Sequence, residues 1–203
     1  MDIFVLGLLI FLGTHSFRIF ADGKRTQLLE SLGERKFKGL YALVSVLGFA
    51  LMVWGYGQAR MEPIELWAPP IWGRHLAFLL VWVAWILMAA AYIHANWFKV
   101  KMHHPMILSV KTWALAHLLA NGQLHQVVLF GGFLAWGVLS FISARRRDRA
   151  QAAKLEADGL PPTPLVPVST AATQLTLAIG TLVYVLFLAW GHKALIGVSP
   201  LGM

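Results

Sequence analysis

The chain of 203 residues is 58% hydrophobic and only 13% charged, carries a net charge of +8 and contains no cysteine. A soluble domain has about one-quarter charged residues and under half apolar ones, so the composition points to an integral membrane protein. Its positive residues stand at the ends of apolar segments, so topology and not nucleic acid explains them, and the missing cysteine excludes disulfides, thiolate metal sites, iron–sulfur clusters and thioether-linked haem.

Six hydrophobic spans are predicted, at 3–20, 39–57, 75–97, 106–121, 124–143 and 171–191, against the roughly 17–25 residues that a helix needs to cross a bilayer. The expected fold is therefore an all-α polytopic transmembrane bundle in a single domain, 1–203. The first span lacks a basic leader and an Ala-x-Ala cleavage pattern, and reads as a retained span. The fourth is short and interrupted by His, Lys and Asn, which suits a tilted, broken or shielded helix. Asn121-Gly122 ends it in a tight turn, so spans four and five form a hairpin. Gly131-Gly132 with Ala135 in the fifth permits close helix approach. Residues 144–170 form a polar connection at the membrane surface, a basic run followed by Pro161-Pro162-Thr163-Pro164 and Pro167, read as a mobile linker.

Lys and Arg concentrate in the odd loops: Lys24, Arg25, Arg35, Lys36 and Lys38, then Lys99 and Lys101, then Arg145, Arg146, Arg147, Arg149 and Lys154. The positive-inside rule then makes 21–38, 98–105 and 144–170 cytoplasmic and both termini external. Trp54, Tyr56, Trp67, Trp72 and Trp190 fall near the outer boundary, with Trp97 and Phe98 near the inner one. Trp82, Trp85, Trp113 and Trp136 fall at mid-depth, where they either wall a flat apolar ligand or pack against lipid and helices.

Of the eight histidines, His103, His104 and His94 lie near the inner edge, and His75, His125 and His192 at the outer edge, where water satisfies an imidazole. His15 and His117 differ. Counted at 1.5 Å per residue, His15 lies about 18 Å from the outer face and His117 about 14 Å, in a core of roughly 30 Å. Two imidazoles near one level either ligate one metal or haem iron from opposite sides, or each bond a neighbouring helix. Arg18 lies one turn from His15 on the same face, and Lys111 lies on the fourth span nearer the cytoplasm. These cations either meet haem propionates or snorkel to headgroups. Trp113, His117 and Asn121 form a stripe at intervals of four, a poor face to show to lipid. No phosphate loop, His-Glu-x-x-His or serine nucleophile pattern occurs, and the spans contain no carboxylate for a proton relay.

Gly13-Thr14-His15-Ser16-Phe17-Arg18, together with His104-Pro105-Met106 and Lys111-x-Trp113-Ala114-x-x-His117-Leu118-x-x-Asn121-Gly122, resembles the NnrU family over roughly residues 1–190. These are small bacterial integral membrane proteins associated with nitrite and nitric oxide metabolism, in a superfamily shared with 15-cis-zeta-carotene isomerase. The resemblance implies non-covalent haem b ligated by His15 and His117, with Arg18, Lys111, Trp113 and Asn121 around it. It also implies a place in the bacterial inner membrane, and a membrane redox partner or nitrogen-oxide reductase as associate. The role implied is electron transfer, sensing or assembly; the alternative is a haem-dependent isomerase of a polyene or other lipid-soluble alkene. The isomerase branch has a cysteine, proposed as an exchangeable ligand, where this chain has Ala114.

Overall fold

Apolar runs inside a bilayer can satisfy their backbone only by coiling, and the computed structural model is helical along nearly all of its length. It describes residues 1–161 and 166–201, so Pro162, Thr163 and Pro164 of the proline run lie outside the described residues. The helices are α1 (Asp2–Phe20), α2 (Asp22–Leu32), α3 (Glu34–Ala59), α4 (Ile71–Tyr92), α5 (Trp97–Met102), α6 (Pro105–Ala120), α7 (Leu124–Ala157), α8 (Thr170–Leu186) and α9 (His192–Ile196), with a π turn at Phe187–Gly191 joining the last two. Five helices are long and apolar enough to cross a membrane: α1, α3, α4, α7 and the run Thr170–Ile196. The sixth apolar helix, α6, has 16 residues.

Neighbouring helices follow the order α3, α1, α7, α6, α4, α8, with α7 between the α1–α3 pair and the rest. One end of the bundle gathers α2, α5 and the charged extension of α7, and we call it the basic end. There Ser169 donates its backbone N–H to Ala95, and Asp148 meets His104. At the opposite end Arg60 bonds the carbonyl of Ile196, and Glu65 pairs with Gln123 in a single β-bridge. The three Lys/Arg-rich connections thus share one end, as their alternation in the sequence requires.

Element boundaries depart from the apolar runs where local chemistry intervenes. α4 stops at Tyr92 and not at residue 97, because the fully buried Asn96 turns its amide onto the carbonyls of Ala90 and Ile93 and caps α5 by accepting from Lys99 N–H. The Lys99 ammonium covers the next carbonyl, Ala91, so the open end of α4 is satisfied twice over. The stretch 21–38 is α2 and the start of α3, divided by Gly33 at φ 77°. The polar connection at 144–170 begins as helix, since α7 runs on to Ala157.

The tightest seam joins α1 to α3. A Cβ on Gly7 would stand 2.2 Å from Met52 N, one on Gly48 2.7 Å from Phe11 N, and one on Gly55 2.3 Å from Phe4 N. Small residues let the backbones touch where lipid gives helices no hydrophobic reason to associate. Phe4, Leu8 and Met52 fill the small buried core beside this seam. On α7 the close approach is not at the Gly131-Gly132 pair: Gly131 meets nothing, Gly132 meets leucine methyls at 3.3 Å, and it is Gly137 that admits the stem of Lys111. Gly122 is needed for approach as well, because a Cβ there would overlap the carbonyl of Trp67. Its neighbour Asn121, the last residue before the turn, is extended at φ −132°.

Gly55→Ala should therefore lower thermal stability in detergent by about 1–3 kcal/mol, the usual cost of overpacking. Gly57→Ala, where a Cβ meets nothing within 4 Å, should be neutral or gain up to about 1 kcal/mol from helix propensity. Equal melting temperatures for the two variants would remove the α1–α3 seam as the source of stability.

Candidate functional site

His15 lies in α1 one turn after Phe11, and His117 lies in α6 one turn after Trp113. In both, the ring Nδ1 sits 2.8 Å from the carbonyl oxygen of the residue four back, Phe11 or Trp113. A carbonyl can only accept, so each Nδ1 is the protonated nitrogen and each Nε2 carries the lone pair. The aromatic ring four residues back also supports the imidazole, with centroids 4.3 Å apart for Phe11–His15 and 5.1 Å for Trp113–His117. Two helices thus present the same unit, an imidazole fixed at Nδ1 against an aromatic ring and open at Nε2.

Between them stands α7. Its Phe130 stacks on His117 at 4.5 Å and its Trp136 meets His15 edge-on at 6.4 Å. Phe133 lies 5.6 Å from Trp113 and 6.0 Å from Phe11. A continuous run of rings, Trp113, Phe133 and Phe11, therefore joins one histidine to the other. Phe130 and Trp136 are six positions apart, about 9 Å of helical rise, a wider offset than counting depth from the span ends suggests.

His15 opens into a cavity of about 390 Å³ between α1, α2, α3 and α7, shared with Arg18, Tyr41 and Trp136. Arg18 therefore does accompany His15, while its guanidinium also reaches Asp22 at 3.7 Å. Lys111 does not join them: its ammonium lies 4.9 Å from the ring of Phe141. Asn121 donates to the carbonyl of His117 at 2.8 Å and closes the end of α6, so it fixes the backbone of His117 and not its ring. The four mid-depth tryptophans divide. Trp113 and Trp136 stand beside the two histidines, whereas Trp82 bonds Thr181 across α4 and α8 and Trp85 packs on Phe187.

Residues 3–200 match the family described as NnrU protein. The chain belongs to the NnrU family. No curated protein and no solved structure matches it. As an NnrU-family chain it holds the Gly13–Arg18 and His104–Gly122 blocks on α1 and α6, the two helices that α7 separates.

Phe11, Tyr41, Phe130 and Phe133 complete the surroundings of the histidines and were not evident as site residues from the sequence. The available signal was the repeated aromatic-x-x-x-His spacing, Phe11 to His15 and Trp113 to His117. Among the described residues no group of three or more His, Cys, Asp or Glu is placed to hold a metal, so any metal chemistry rests on fewer protein ligands. His125, expected at a watery boundary, is buried, 5.0 Å from the ring of Tyr56. Ala114, at the position of the isomerase cysteine, is fully buried.

At the basic end His104 Nε2 lies 2.9 Å from Asp148 Oδ2, which also accepts from Arg145 at 2.9 Å. This latch joins the start of α6 to the charged extension of α7, beyond its apolar part. Burial opposes ionisation of Asp148, but His104 and Arg145 outweigh it and hold the carboxyl below its ordinary value of 3.8. A depressed carboxylate stabilises the fold above its ordinary value and loses that contribution as pH falls through the folded one. Asp148→Asn should thus cost about 0.2–1 kcal/mol at neutral pH, as part-exposed pairs do. The gap from wild type should close below pH 3.8, followed by thermal unfolding in detergent. A gap independent of pH would assign the loss to packing.

Proposed function

We propose that this NnrU-family protein binds haem b through His15 and His117 and serves nitrite or nitric oxide metabolism by electron transfer, sensing or assembly of a partner enzyme. The observation that carries this reading is the pair of matching imidazoles, each with Nδ1 bonded to its own helix and Nε2 left as a donor atom. That is the tautomer an iron ligand requires, with the orienting bond already made. Phe11, Phe130, Phe133, Trp113 and Trp136 supply flat apolar surface around both rings, the lining that suits a macrocycle. Haem, when bound, supplies one-electron redox chemistry and affinity for small diatomic gases. The protein's share is to orient the two imidazoles, exclude water with the aromatic wall, and offer Arg18 to an anionic edge.

In this reading α6 is a sixth span, the basic end is cytoplasmic, and both termini lie outside in a bacterial inner membrane. A membrane redox partner or a nitrogen-oxide reductase is the expected associate. Isomerisation of a polyene is the second reading. It draws support from an apolar groove of about 470 Å³ along α1, lined by Leu8, Leu12 and Phe17 among others, beside the His15 cavity. Against it stands Ala114, which offers no ligand atom to exchange.

Reporter fusions at Lys36 and Arg147 should both report cytoplasm, and one at Gln123 the opposite side; any inversion would break the six-span arrangement. After haem reconstitution, His15→Ala and His117→Ala should each abolish or strongly shift the Soret band, while His192→Ala leaves it unchanged. Wild-type spectra in both of the first two variants would eliminate the site. If both imidazoles hold the haem, the ferrous protein should bind carbon monoxide slowly, and rapid stoichiometric binding would favour the open-site isomerase.

A further inference from the structure

The cavity beside His15 gathers cations beyond what iron ligation needs. Four cationic side chains from four different helices line it: Arg18 of α1, Arg25 of α2, Lys38 of α3 and Arg147 of α7. No carboxylate lines it. Arg18 and Lys38 have partners outside the cavity, Asp22 and Glu34. Arg25 and Arg147 have no carboxylate partner among the described residues, although both are half-buried. Arg25 lies over the ring of Phe37 at 5.5 Å. Arg147 donates to the Ser143 hydroxyl at 2.7 Å, one turn back along α7 toward its apolar part. A snorkelling arginine extends the other way, toward water and headgroups.

Of the polar lining, Thr14 and His15 already bond the carbonyls of Ile10 and Phe11. Trp136 lines the cavity with its ring, and its indole N–H is buried and has no partner. Half-buried guanidinium groups without a counter-charge favour the entry of an anion. The group that would satisfy both arginines is an acceptor with negative charge and several oxygens. The cavity wall behind them, Phe17, Phe37, Tyr41 and Trp136, is apolar or aromatic and suits the body of an amphiphile.

We propose that this cavity is a receptor for the oxyanion group, carboxylate or phosphate, of an amphiphile lying in the leaflet at the basic end. Arg25 and Arg147 are its charge-pairing residues, and Trp136 belongs to its aromatic wall. The inference does not rest on iron ligation, since it uses neither Nε2 atom. Two sources offer the same chemistry, an acidic phospholipid and the carboxylates of haem.

The test uses the full chain in maltoside micelles. Native mass spectrometry after addition of dioleoyl phosphatidylglycerol or dioleoyl phosphatidylcholine reads the lipid source. Visible titration with haemin or haemin dimethyl ester reads the tetrapyrrole source. If phospholipid is the occupant, phosphatidylglycerol is retained at least tenfold over phosphatidylcholine. If haem is, haemin binds at least tenfold tighter than its ester. Either preference should vanish in Arg25→Gln/Arg147→Gln. Wild-type protein that shows neither preference overturns the proposal without recourse to any variant, and so does a preference that survives the double substitution in a folded, monodisperse protein. Loss of the Soret band in the histidine variants alongside an unaltered lipid preference would separate iron ligation from anion capture.

Discussion

Hydrocarbon offers no hydrogen bonds, so each polar atom that enters it must find a partner on its own helix or the next. That requirement can be followed side chain by side chain. Thr14, Thr112 and Thr176 return their hydroxyls to the carbonyl four residues back. Ser109 reaches across to the carbonyl of Ala84, tying α6 to α4. His15 and His117 obey the same rule with Nδ1, and obeying it directs the second nitrogen away from the helix backbone. The groups that break the rule are few: among the described residues only Ser45 Oγ and Trp136 Nε1 are buried side-chain atoms without a partner. The ring of Trp136 lines the cavity where the unpaired guanidinium groups converge.

The placement of α7 gives these local facts a common setting. It is the neighbour of both α1 and α6, and its aromatic residues at 130, 133 and 136 touch the surroundings of both histidines. Its glycine at 137 seats the stem of Lys111, which keeps that charge on the α6–α7 seam and away from His15. The separation between Arg18, which enters the cavity, and Lys111, which does not, follows from which seam each stem occupies.

Much of the architecture was legible before any coordinates. Apolar runs marked α1, α3, α4, α7 and α8, and the alternation of basic loops anticipated one charged end. Depth counting singled out His15 and His117, which sit within aromatic surroundings, but it left the buried His125 among the boundary histidines. What was not legible depended on tertiary neighbours. Nothing in the run 75–97 announces that Asn96 folds back to end α4, because that depends on which carbonyls the turn presents. Glycine pairs suggested close contact at 131–132, yet only the helix that arrives opposite decides which glycine is used. Tyr41 meets His15, and Arg147 shares its cavity, only because α3 and α7 flank α1.

The contact between Gly122 and Trp67 has a mechanical consequence. Leu66 and Trp67 donate their N–H groups to the Gly122 carbonyl, and Leu124 donates to Ile64, so the strap that follows α3 is stitched to the turn between α6 and α7. Three backbone bonds must break together before that strap can leave the turn. The two halves of the molecule are thus bound along one edge like the leaves of a book. Any spreading of the α1–α3 pair from α7 must pivot about that spine and part most widely at the far margin. The cavity beside His15, with its arginines, lies at the basic end, far from the stitched edge.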